Sequence, residues 1–76
     1  MDELTVEREI RGGTAHWVHV RGPIDMDRKA PQRADAEARK WARELGKARA
    51  YSVSGGGDYN MPPGTFRYSV CYGFGD

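Results

Sequence analysis

The sequence predicts a two-layer α+β domain in which one amphipathic helix packs on one face of an antiparallel sheet, in the order ββαββ. Three observations predict it: a Gly12-Gly13 turn between two alternating segments, one apolar stripe at helical spacing, and an unbroken alternation of large apolar residues near the end. The chain of 76 residues has room for a single domain with one thin core.

Leu4, Val6 and Ile10 share one parity while Thr5, Glu7, Glu9 and Arg11 share the other, the period of a half-buried strand. Arg8 interrupts the apolar row and is expected at the sheet rim, its stem covering apolar surface and its head in water. Gly12 and Gly13 accept the positive φ that a tight hairpin turn requires, and a second strand is expected over about 14–21. Its faces compete. Placing Val18 and Val20 inward sets His16 at the core's edge and leaves Trp17, His19 and Arg21 on the open face; the opposite parity would make Trp17 core.

Gly22-Pro23 ends that strand, and a polar connection leads to a helix over about 31–45, with Pro31 in its first turn. Ala34, Ala38, Trp41, Ala42 and Leu45 form its apolar stripe, Gly46 its stop, and Asp35 and Arg39 an expected i,i+4 pair. A third strand is expected over about 49–54, with Tyr51 and Val53 on one face. In the fourth, Phe66, Tyr68, Val70, Tyr72 and Phe74 alternate with Thr65, Arg67, Ser69, Cys71 and Gly73, so the first set faces the core. Between them, residues 55–64 read as a long mobile loop carrying Asp58 and Tyr59, either used for recognition or a tolerated insertion.

The formal charge of +1 hides an asymmetry: residues 28–49 carry a net +5 and the remainder a net −4. Such a dipole steers a charged partner, unless it is only a solvated helix face with mixed ion pairs. No apolar run reaches the length of a membrane span, and the N-terminus lacks the parts of a signal peptide, so a cytoplasmic protein is expected.

Catalytic and cofactor motifs are not apparent, so no enzyme and no cofactor is expected. The triple glycine lies between strands beside Asp58 and lacks the Gly-Lys-Ser/Thr of a phosphate loop. His16 and His19, three apart on a strand, face opposite ways and cannot chelate one metal. The single Cys71 is read as a packing residue or, outward near an edge, as a dimer contact with its copy; as a nucleophile it would need a histidine nearby. Trp17, His19, Arg21 and Arg67 form a candidate stacking and basic platform for nucleic acid, with the basic helix as a second surface. The acidic Glu7 and Glu9 on the same face oppose that reading.

In size and element order the chain resembles small phage-encoded anti-CRISPR proteins that inhibit type I systems. The features that carry this are the hairpin over 1–21, the helix over 31–45 and the closing strand Tyr68-Ser69-Val70-Cys71-Tyr72. The resemblance implies a non-enzymatic inhibitor that docks on the multisubunit surveillance complex in the bacterial host and blocks its access to DNA. Acidic side chains that occupy a phosphate groove would come from Asp2, Glu3, Glu7, Glu9 and Asp58, with Trp17, His19, Arg21 and Tyr59 alongside. The helix cations Arg39, Lys40 and Arg43 are the competing surface.

Overall fold

The computed structural model describes residues 4–60 and 62–76, so the acidic candidates Asp2 and Glu3 lie outside the described residues. Strands β1 (Thr5–Arg11) and β2 (Ala15–Pro23) are followed by a 3-10 segment (Ile24–Lys29), helix α1 (Ala30–Glu44), and strands β3 (Arg49–Tyr59) and β4 (Thr65–Gly75). The strands form one sheet in the order β1-β2-β4-β3, antiparallel at every junction. The chain therefore crosses from β2 over β4 to the far edge, and α1 makes that crossing on one face. The expected two-layer α+β architecture is the one observed.

Core and open face follow from strand parity. Val18 and Val20 are fully buried under the helix, joined by Phe66, Val70 and Tyr72 from β4 and by Ala30, Ala34, Ala38 and Trp41 from α1. The alanines let α1 approach closely, and Trp41 fills the space left at its C-terminal end, where His16 and Phe74 meet its ring edge-on at 4.9 and 5.8 Å. Leu45, expected in the stripe, is one residue past the helix and 46% exposed, and Ile10, on the edge strand beside the turn, is 54% exposed.

Three further expectations are corrected. The first turn holds three residues, because Arg11 pairs with Ala15 and the Thr14 N–H donates to the Arg11 carbonyl at 3.2 Å. With opposed strands sharing faces, that count places Val6 opposite Val20 rather than opposite His19. Asp35 forms no ion pair with Arg39 among the described residues; its Oδ1 instead accepts a hydrogen bond from the Tyr72 hydroxyl at 2.8 Å, tying helix to sheet.

The expected loop over 55–64 is largely strand. β3 runs on through Gly55, Gly56 and Gly57 to Tyr59, each paired with β4 down to Tyr59 opposite Phe66. Glycine lacks strand propensity of its own, so here the ladder to β4 supplies the conformation. A bulge between Ser52 and Ser54 shifts the register by one residue.

Candidate functional site

Register builds the open face in rows. Across β1, β2, β4 and β3 these are Glu9, Trp17, Cys71 and Ser54; then Glu7, His19, Ser69 and Gly56; then Thr5, Arg21, Arg67 and Asp58. Strand alternation thus collects Glu7, Glu9, Trp17, His19, Arg21, Asp58 and Cys71 on one surface. Arg39 and Arg43 lie exposed on α1, on the other side of the sheet, and Tyr59 opposes the core residue Phe66. The structure separates the two competing charged surfaces.

The centre of the open face is a closed polar network. His19 Nδ1 lies 2.6 Å from Ser69 Oγ, and its Nε2 lies 2.7 Å from Glu9 Oε1. The Arg11 guanidinium holds the Glu9 carboxyl below the usual carboxylate range, with the His19 contact adding to it. Glu9 accepts a hydrogen bond from Nε2–H, and in the neutral imidazole Nδ1 then accepts one from the Ser69 hydroxyl. Arg11 also donates to Glu9 at 3.1 Å and lies 4.4 Å from the centroid of Trp17, whose ring runs parallel to His19. Covered in this way, His19 is 4% exposed although it faces away from the helix, where an exposed side chain was expected.

Nucleophile, base and acid stand in the order of a hydrolytic triad, but the order alone does not make one. A reacting group needs a recess and donors for developing charge. One open recess, about 390 Å³, lies toward the other end of the strands, with Thr5, Arg21, Thr65 and Arg67 in its lining. Glu9, His19 and Ser69 tie three strands together across the sheet, and Glu7 pairs with Arg21.

Cys71 sits on β4, an inner strand, partly buried between Trp17 and Ser54 in its row. A contact with its copy would need two open faces to meet. No group of three metal-binding side chains occurs among the described residues, and none of their helices is long and apolar enough to cross a membrane. Sequence reasoning missed Ser69 and Arg11. Their parity was readable, but their partners depend on registers across separate strands.

A comparison with protein-family models gives no match, and comparisons with curated proteins and with solved structures give none either.

Proposed function

We propose that the protein is a non-enzymatic binding protein that docks on a protein partner through the open face of its sheet, as a phage-type inhibitor of a type I CRISPR surveillance complex does. The observation that carries the reading is the pairing across the β1–β2 half of that face. Glu7 is matched by Arg21, Glu9 by Arg11 and His19, and the Trp17 indole is capped by Arg11. A single-strand binder needs bare aromatic faces and unpaired cations; a protein-docking surface needs fixed side chains whose ordering entropy is already spent before the encounter. The inhibitor identity rests on the architectural resemblance, and the acidic groups available to it on this face are Glu7, Glu9 and Asp58.

The test is retention of a purified type I surveillance complex by the immobilised protein, in the presence of nuclease, together with loss of target-DNA binding by that complex. Glu7→Lys, which changes an exposed pair and leaves the His19 network intact, is expected to weaken retention with the fold unchanged. If the protein instead binds free DNA or RNA, with affinity falling steeply as salt rises, the surface is a nucleic-acid module and the inhibitor reading is wrong.

A further inference from the structure

The two edges of the sheet are unlike. β1 carries Glu7, Arg8, Glu9 and Arg11, the kind of charge that discourages strand addition. β3 is longer, and between Arg49 and Asp58 it has no charged residue at all. Of the large apolar side chains left exposed, Tyr51, Val53 and Tyr59 all lie on it, at 52%, 63% and 51%. Edges of this kind are templates for another strand.

We propose that β3 is a self-association edge, pairing antiparallel with β3 of a second copy about a twofold axis so that two four-stranded sheets become one. Charge and shape both favour a copy as the occupant. Antiparallel pairing sets Arg49 of one chain against Asp58 of the other, twice over. Arg49 lies opposite Gly75 and Asp58 opposite Arg67 in their own sheet, so both face the open side; the bulge between Ser52 and Ser54 makes this so despite their odd separation. The same alignment sets Ala50, Tyr51 and Ser52 against Gly57, Gly56 and Gly55, bulk against its absence. Within its own sheet the Tyr51 ring leans inward over Gly73, away from the outer edge of β3. The glycines thus serve as the receiving half of a self-complementary strand.

Sedimentation velocity of the full chain from micromolar to millimolar concentration tests this. The wild type is expected to dimerise, Val53→Lys and Arg49→Asp each to weaken the dimer by about tenfold or more, and the swap Arg49→Asp with Asp58→Arg to restore it. Both single changes fall on exposed side chains, and far-ultraviolet circular dichroism confirms that each variant stays folded. A wild type that remains monomeric overturns the proposal, whether the edge stays bare or takes a strand from another protein. A dimer unaffected by both single variants also overturns it, since its contact then lies elsewhere, and so does a swap that fails to restore a dimer the single variants have broken.

Discussion

The guanidinium of Arg8 lies over the indole of Trp41, 5.0 Å from the ring centroid, while Nε meets Glu37 at 2.5 Å and the terminal nitrogens meet Glu44 at 2.8 and 3.0 Å. One side chain therefore closes the core at its largest residue and ties edge strand β1 to α1. Its neighbours push the Arg8 guanidinium's pKa further up, and Arg8 in turn holds the Glu44 carboxyl below its ordinary value.

Replacing Arg8 by Ala removes the cation over the ring, the forked pair and the stem that covers Trp41, a combined loss of about 1–2 kcal/mol. In a domain of this size the melting temperature should fall by roughly 5–15 °C. Because the folded-state pKa of Glu44 is depressed from 4.5, its contribution is present above that value and is lost as pH falls through the folded pKa. Thermal melts taken downward from neutral pH should therefore show the gap between the wild type and Arg8→Ala narrowing at some point below 4.5. A gap that stays constant in acid would mean that Arg8 acts through its contact with Trp41 and not through Glu44.

Tyr72 should contribute to the loss of stability at alkaline pH. Burial first, and then the hydrogen bond to Asp35, push its pKa well above the ordinary 10.0. The folded state therefore resists the phenolate more than the unfolded chain does. The stability this confers is complete below about pH 10 and is lost as pH rises from there through the folded pKa. Tyr72→Phe should cost about 1 kcal/mol at neutral pH through the missing hydrogen bond, yet show a flatter decline in denaturant midpoint above pH 10. Parallel declines for the two proteins would assign the alkaline loss to other groups.

What was legible in the sequence is what local period decides. The alternation from Phe66 to Phe74 and the stripe from Ala34 to Ala42 each name their buried face without reference to the rest of the chain. The hydrogen-bonded line through Glu9, His19 and Ser69 was not legible, because it needs the registers of β1 with β2 and of β2 with β4 at once, and a turn one residue shorter would have undone it. The strand character of Gly55, Gly56 and Gly57 was hidden for another reason. Their composition is that of a loop, and only pairing with Val70, Ser69 and Tyr68 makes them strand.

The strand over Gly55, Gly56 and Gly57 can be tested directly, because a strand distinguishes neighbouring glycines that a loop would treat alike. A methyl group at Gly55 would lie 3.1 Å from the Ser69 carbonyl oxygen and 3.3 Å from Val70 Cγ2, and Val70, at 3% exposure, has nowhere to move. At Gly56 the same methyl group meets nothing within 4 Å, and the backbone there is not left-handed. Gly55→Ala should therefore destabilise by about 1–2 kcal/mol through the forced separation of β3 from β4. Gly56→Ala should stabilise by roughly 0.4–1 kcal/mol, because alanine restricts the unfolded chain and strains nothing in the folded one. Urea unfolding of dilute protein, where β3 pairs only within its own chain, measures both. Indistinguishable effects would return residues 55–57 to a loop and remove the edge on which self-pairing depends.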